Sequence, residues 1–351
     1  MPPLYDELSL STQTAYAQLL DAALGSELLR SVADLPGSFN AKTVKGRTYW
    51  YFQYTEPSGK LRQVYVGPDN DALQRLMQRQ REGPVASQAL GPLARSALAL
   101  GCTAVLPRHH RVIRRLADYG FFHVGGLLIG THAFLAYGNM LGLRWGGQER
   151  TQDIDFAHAG KAVSLVLPSE LQVKTGEAIE SLRMGFLPVS GLSGKSGGTY
   201  LIPSEPEFRL DFLTPLHRGG DTPYLHPQLN ITLQPLPFME YSLEKFEQAV
   251  VFSAEGTVLV NVPSPERYAL HKLLVYGERT GTFRAKSAKD LAQAACLAAY
   301  LWDHRREALA EALQDLLSRG KGWVSRYRQG AAALYKAYPH LEVSARLASA
   351  V

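Results

Sequence analysis

The chain has 351 residues, 46% apolar, 20% charged and 10% aromatic, which excludes an intrinsically disordered protein and is ample for two or three buried domains. Two cysteines, Cys102 and Cys296, allow one bridge at most and exclude a disulfide-stapled scaffold. The formal charge is +5, yet residues 41–118 hold thirteen Lys or Arg against five Asp or Glu; such a basic stretch suits phosphate, in a nucleic acid or a nucleotide, and equally suits a solvated surface.

No charged segment followed by an apolar run opens the chain, and no apolar stretch approaches the ~20 residues of a membrane span, so a cytoplasmic protein without a membrane helix is expected. Residues 1–35 read as a helical lead-in, with Leu19, Leu20, Ala23, Leu24, Leu28 and Leu29 at helical spacing before the Pro36-Gly37-Ser38 break. Arg47 to Tyr54 is aromatic and β-branched, Glu56-Pro57-Ser58-Gly59 has turn chemistry, and Leu61 to Val66 alternates up to Gly67-Pro68, which predicts a hairpin. One arm carries Tyr49, Trp50, Tyr51, Phe52 and Tyr54, interleaved with Lys42, Lys45, Arg47, Lys60 and Arg62. A ribbon of this kind is able to stack on bases or follow a phosphate backbone. Aromatics also favour strands anywhere, so a hairpin that only braces the fold stands beside that reading.

Helices are expected at Asp69 to Glu82, Leu90 to Leu100 and Arg108 to Tyr119; the last carries Arg108, Arg111, Arg114 and Arg115 on one face, suited to a polyanion or to water. From Phe121 to about Val262, short apolar runs alternate with Gly and polar loops, the texture of an α/β or α+β sheet domain. Beyond it, Ser264-Pro265-Glu266 is a helix start with proline at the first helical position, and Tyr268 to Glu278, Ala288 to Trp302 and Arg305 to Ser318 read as successive helices. The expected organisation is a basic helical and β-hairpin region at 1–118, a sheet core at 119–262 and a helical domain at 263–351.

Three segments of the core carry chemistry. Phe122 to Ile129 is strand-like, Gly130-Thr131 is a sharp turn and His132 to Leu143 is helix-like. The backbone N–H groups of that helix start and the Thr131 hydroxyl suit phosphate oxygens, and Gly130 permits close backbone approach. In Thr151-Gln152-Asp153-Ile154-Asp155-Phe156, the two carboxylates lie at i and i+2 on one strand face while Ile154 and Phe156 point the other way. Adjacent carboxylates on a rigid strand repel unless a cation neutralises them, and hard oxygen donors suit Mg²⁺ or Mn²⁺. Glu207 to Leu213 is a second alternating strand with Asp211 on its polar face, and a third carboxylate completes a two-metal site. A P-loop at Gly194-Lys195-Ser196 fails because Val189 stands where its first glycine belongs; Gly191 to Gly198 is expected as a flexible loop. The histidines, among them His109, His110, His132 and His271, show no zinc spacing and read as surface or satisfied core residues.

Together, Ile129-Gly130-Thr131, Asp153-Ile154-Asp155 and Asp211 resemble the core motif of the nucleotidyltransferase-fold superfamily typified by DNA polymerase beta. Twenty-one residues separate Thr131 from Asp153, more than in minimal members, and Thr replaces the usual Ser. Both departures resemble a branch of bacterial nucleotidyltransferase-like proteins of unassigned function with a Gly-Thr-x-Ala-x-x-Ala-Tyr run, matched by Gly130, Thr131, Ala133, Ala136 and Tyr137. Ala269-Leu270-His271-Lys272-Leu273-Leu274 through Arg279, then Lys286 and Lys289-Asp290, resembles the Lys and Lys-Asp motifs of abortive-infection AbiEii-type toxins.

The resemblance implies an α+β fold, a polymerase beta-like mixed sheet with flanking helices, and metal-dependent transfer of a nucleoside monophosphate from an NTP. Asp153, Asp155 and Asp211 would be catalytic and bind Mg²⁺ or Mn²⁺, with Asp211 also the base for the acceptor hydroxyl. Gly130 and Thr131 would hold the triphosphate, with Arg150 and Lys272 as its charge partners. The implied acceptor is a tRNA, a protein or a small molecule, and the toxin likeness implies a cognate antitoxin. The alternative is a nucleic-acid-binding protein whose nucleotidyltransferase core is vestigial; three intact carboxylates argue against it.

Overall fold

The computed structural model describes residues 3–28, 37–55, 61–82, 85–147, 151–159, 173–190, 196–216, 220, 222–279 and 284–350. The N-terminal part comprises β1 (Tyr5–Glu7), α1 (Leu10–Leu28), β2 (Ser38–Val44), β3 (Arg47–Thr55), β4 (Leu61–Pro68), α2 (Asp71–Glu82), α3 (Val85–Ala99) and α4 (Pro107–Asp118). Strands β2, β3 and β4 form an antiparallel sheet of their own. The expected two-armed hairpin thus gains a third arm. Lys45 and Gly46, at φ 49° and 75°, connect β2 to β3 as the two-residue turn that suits twisted strands. Ser38–Val44 is mostly exposed, and its packed side offers only Phe39 and Ala41, too short an alternation to mark a strand by itself.

The middle of the chain contributes β5 (Gly126–Leu128), α5 (Gly130–Leu141), β6 (Leu143–Trp145), β7 (Ile154–His158), α6 (Thr175–Ser181), β8 (Leu187–Ser190), β9 (Ser196–Ile202), β10 (Glu205–Pro215), β11 (Tyr224–His226), β12 (Ile231–Leu236), α7 (Met239–Leu243), β13 (Phe246–Ser253) and β14 (Gly256–Pro263). These make the α+β architecture expected from the sequence. The mixed sheet runs β11-β12-β10-β7-β5, with the β8–β9 hairpin joined to β10. Strand β10 is parallel to β7 and β12 and antiparallel to β9. The strand expected from Phe122 is shorter than its apolar run suggests: Phe121 to Gly125 is a series of turns, and only Gly126–Leu128 pairs, with β7. The expected loop at Gly191 to Gly198 also needs correction at its end, since Ser196 to Gly198 already belong to β9; Gly191 to Lys195 lie outside the described residues, as do Glu56 to Lys60.

Helices α8 (Pro265–Glu278), α9 (Arg284–His304), α10 (Arg306–Ser318), α11 (Lys321–Ala337) and α12 (Glu342–Ser349) follow, and α8 begins as predicted, with Ser264 as N-cap and Pro265 in its first turn. They share one hydrophobic core with the sheet, running from Val105 to Leu347. Under the sheet's polar face, Ile154 and Phe156 of β7 meet Leu210 and Phe212 of β10, all fully buried, with the Phe156 and Phe212 rings stacked at 5.2 Å. Burying each such side chain contributes ~1.5–3 kcal/mol, which is what holds the opposite, acidic face in register. Both cysteines are buried and unbridged. Among the described residues no helix is long and apolar enough to cross a membrane.

Candidate active site

The site grows out of the β7–β10 pair. Parallel pairing sets Asp211 directly beside Asp155, and Asp153 immediately precedes β7 on the same side. One carboxylate oxygen from each lies within 4.8 Å of the others, and all three residues are partly buried. The turn into α5 presses on this cluster. Ile129 N–H donates to the Asp155 carbonyl at 3.0 Å, and Gly130 adopts φ 61° with the Asp155 carboxylate against its Cα. A Cβ at position 130 would stand 2.1 Å from Asp155 Oδ2, so only glycine fits there. The Tyr268 hydroxyl of α8 lies 2.8 Å from the Gly130 carbonyl oxygen and fixes the turn from behind.

The three carboxylates differ in surroundings. Burial, and then the neighbouring Asp153 and Asp211, push the Asp155 carboxyl up to about 7, against the pull of Lys272 and Lys286. Burial also acts on Asp153, but the Thr151 hydroxyl that donates to it, Lys286 and Arg209 outweigh that and leave it below its ordinary value. Lys286 Nζ and Arg209 Nη2 each stand 3.6 Å from Asp153 Oδ2. Thr199 donates to Asp211 Oδ1 at 2.6 Å, and Arg209 Nε lies 3.1 Å from Asp211 Oδ2 as an ion pair whose N–H is not aligned for a hydrogen bond. A compact set of hard oxygens, crowded enough to raise the pKa of the middle carboxyl, is the donor chemistry that fits a divalent cation.

A cleft of about 820 Å³ opens beside Asp153, walled by Leu106, His109, His132 and Leu135 and rimmed by Arg209, Lys286 and Lys289. His109 Nδ1 and His132 Nε2 are 3.0 Å apart in the wall and share one proton. Whichever ring carries it, the outer nitrogens, His109 Nε2 and His132 Nδ1, are left as one donor and one acceptor, and neither has a hydrogen-bond partner. Burial, with the nearby Arg108, lowers His109 to about 4; burial, with His109 itself, lowers His132 to about 3, so both are neutral. His110 and His271 are likewise buried with an unpartnered Nε2. The expectation of surface or satisfied histidines is therefore corrected at these four positions.

Lys272 reaches the site's back wall, where its Nζ binds Asp290 Oδ1 at 2.8 Å, and Arg279 binds the other oxygen of the same carboxylate. Burial alone would lower the Lys272 pKa, but Asp290, Tyr268 and Asp155 outweigh it and the ammonium is held charged. Thr131 occupies the first turn of α5 and is buried. Arg150 lies outside the described residues. Side chains absent from the expected site line the cleft beside it, among them Arg209, Lys286, Lys289, His109 and His132. Arg209 was accessible to reasoning, since it sits two residues before Asp211 and so on the same strand face.

The raised Asp155 pKa has a sign that is testable. Its contribution to stability is fully present below the unfolded value, about 4, and is lost as pH rises through about 7. A cation competes with that proton, so Mg²⁺ or Mn²⁺ should raise the melting temperature at about pH 8 and have little effect at about pH 5. Scanning fluorimetry with and without the ion at both pH values checks this; equal shifts at the two, or none at the higher, count against a cation site.

Residues 107–318 match the protein family described as nucleotidyltransferase, a span that includes all three aspartates and most of the residues lining the cleft beside them. Residues 12–75 match a domain family of unknown function. The crystal structure of an antigenic nucleotidyltransferase-like protein from Paracoccidioides brasiliensis is similar at 14% sequence identity, over 70% of this chain and 95% of that one, with a TM-score of 0.36. No curated protein matches the chain.

Proposed function

The chain belongs to the nucleotidyltransferase family, and from that premise we propose that it moves a nucleoside monophosphate from an NTP to an acceptor hydroxyl, using Mg²⁺ or Mn²⁺ held by Asp153, Asp155 and Asp211. The convergence of three carboxylates from two paired strands at the start of α5 carries this reading. A divalent cation bound there supplies Lewis-acid polarisation of the phosphoryl oxygens and neutralises their charge.

The chain's own groups do the rest. The N-cap residue of α5, Ile129, makes no side-chain capping bond, so the first N–H groups of that helix, with Gly130 and Thr131, serve the triphosphate. Lys286 and Lys289 add positive charge on the same rim, and a part for Arg150, three residues before Asp153 in sequence, rests on the sequence resemblance alone. Lys272 keeps one N–H on Asp290 and directs its charge toward the phosphates from behind Asp155. The acceptor oxygen attacks the α-phosphorus, the bond from that phosphorus to the bridging oxygen breaks, and pyrophosphate leaves. Asp211, paired with Arg209 and oriented by Thr199, takes the acceptor's proton.

An acceptor that is RNA, protein or a small molecule is compatible with this chemistry, and a toxin role with a cognate antitoxin rests on the AbiEii-type likeness of the Lys272 and Lys289-Asp290 segment. The deciding experiment incubates the protein with each α-labelled NTP, Mg²⁺ or Mn²⁺ and a cell extract, then follows the label. Label in one macromolecular or small-molecule fraction together with released pyrophosphate is expected. Absence of both with all four NTPs and both ions would leave the vestigial-core reading standing.

A further inference from the structure

The N-terminal sheet presents an open aromatic face that the catalytic reading does not use. On β2, β3 and β4 the side chains alternate, so that Asn40, Lys42, Tyr49, Tyr51, Gln63 and Tyr65 share one side. Phe39, Phe52 and Tyr54 share the other, where Phe52 is buried and packs edge-on against Phe39. The three tyrosines of the first face form a cluster: Tyr65 stands 5.5 Å from Tyr51 and 6.3 Å from Tyr49, and Tyr65 is 53% exposed.

Charge and hydrogen-bonding chemistry on this face point the same way as its shape. Lys42 and Arg47 lie on this side and Lys45 in the turn at its end, Arg62 pairs with Tyr54 on the other side, and the three strands and the Lys45-Gly46 turn contain not one Asp or Glu. Lys42 Nζ lies 4.4 Å from the centre of the Tyr51 ring and donates to Gln63 Oε1 at 2.9 Å. Gln63 in turn donates to Gln53 Oε1 at 2.8 Å, which also accepts from Asn40. Rings on a flat sheet stack on bases only where those bases are unpaired, since a duplex covers its base faces. Surplus cations complement the phosphates, and a row of neutral amides beside the rings suits the 2′-hydroxyl, which both donates and accepts.

We propose that this face of the β2–β3–β4 sheet is a stacking platform for single-stranded RNA. It is independent of the nucleotidyl-transfer reading, because it is made of side chains on a separate sheet.

The test is fluorescence anisotropy of the full chain with a labelled oligouridylate of about twelve nucleotides, its oligodeoxythymidylate counterpart and an RNA duplex of equal length, at low and moderate salt. The single RNA strand should bind at least about tenfold more tightly than the duplex, with affinity falling as salt rises. Tyr51→Ala with Tyr65→Ala should weaken binding by about tenfold or more, whereas Tyr51→Phe with Tyr65→Phe, which keeps both rings, should retain it. Lys42→Gln should lower the salt slope by about one. An Asp155→Asn protein should bind as the parent does, so loss of transfer and loss of binding are read separately. Binding that survives removal of both rings, equal affinity for the duplex or the deoxy strand, or no binding at all would each overturn the proposal.

Discussion

Asp155→Asn is expected to reduce divalent-dependent nucleotidyl transfer by at least about a thousandfold, equivalent to about 4 kcal/mol of transition-state stabilisation, and to leave the protein folded. The middle carboxylate of the three is the one whose loss removes most, because it is adjacent to both others and lies against the turn where the triphosphate is proposed to sit. Folding should tolerate the change for the same reason that Asp155 is unusual: burial and two neighbouring carboxylates push its pKa up to about 7, so the cation-free site already favours an uncharged group there. The amide keeps the shape and removes the charge. Its melting temperature near pH 8 should equal or exceed the parent's, and the rise on adding Mg²⁺ should vanish. Transfer within tenfold of the parent, measured as label incorporated from an α-labelled NTP, would remove Asp155 from the ligand set.

Gly130→Ala should be nearly as damaging and for a different cause. Its backbone is at φ 61°, where an L-residue costs about 1–2 kcal/mol, and the new methyl would stand 2.1 Å from Asp155 Oδ2 and 2.9 Å from its Cγ. Neither party yields easily. The turn is tied by Ile129 N–H to the Asp155 carbonyl and by the Tyr268 hydroxyl to the Gly130 carbonyl. A loss of about 2–4 kcal/mol in urea unfolding is expected, and transfer should fall about a hundredfold because a shift of about 1 Å in a reacting group is enough to do that. An alanine variant with parental stability and activity would mean that Asp155 is not seated against this turn.

How far the sequence speaks depends on whether a feature is local. Asp-Ile-Asp-Phe and Arg-Leu-Asp-Phe-Leu alternate so plainly that both strands, their acidic faces and their buried partners follow from period two alone. That β10 lies parallel to β7, bringing Asp211 level with Asp155, follows from nothing local; it is decided by the packing of Phe156 on Phe212 beneath the sheet. His109 is legible in part: with Val112, Ile113 and Leu116 it stands at i, i+3, i+4 and i+7 on α4, the stripe that faces inward, whereas its unpartnered Nε2 appears only in the packed structure. Lys272 illustrates the opposite limit: its charge is legible, whereas its pairing with Asp290 brings together α8 and α9 and appears only once the helices are packed. Strand β2 is faint in the sequence because it is a mostly exposed edge strand whose alternation rests on Phe39 and Ala41 alone.

For the cation proposed here, the side-by-side placement of Asp155 and Asp211 would make the site a gauge of ionic size. Hydrogen-bonded strands stand about 4.8 Å apart, and neither strand is able to widen that gap without breaking its ladder. Aspartate has one methylene with which to reach across it, so the carboxylate oxygens have little travel, and Gly130 blocks retreat on one side. A small cation that demands short, regular contacts is suited to such a rigid frame, whereas Ca²⁺, which gathers six to eight oxygens at longer and variable distances, depends on ligands that bend. Discrimination between these ions would then reside in the spacing of the backbone rather than in the identity of the carboxylates, and lengthening any one of them to glutamate would recalibrate the gauge.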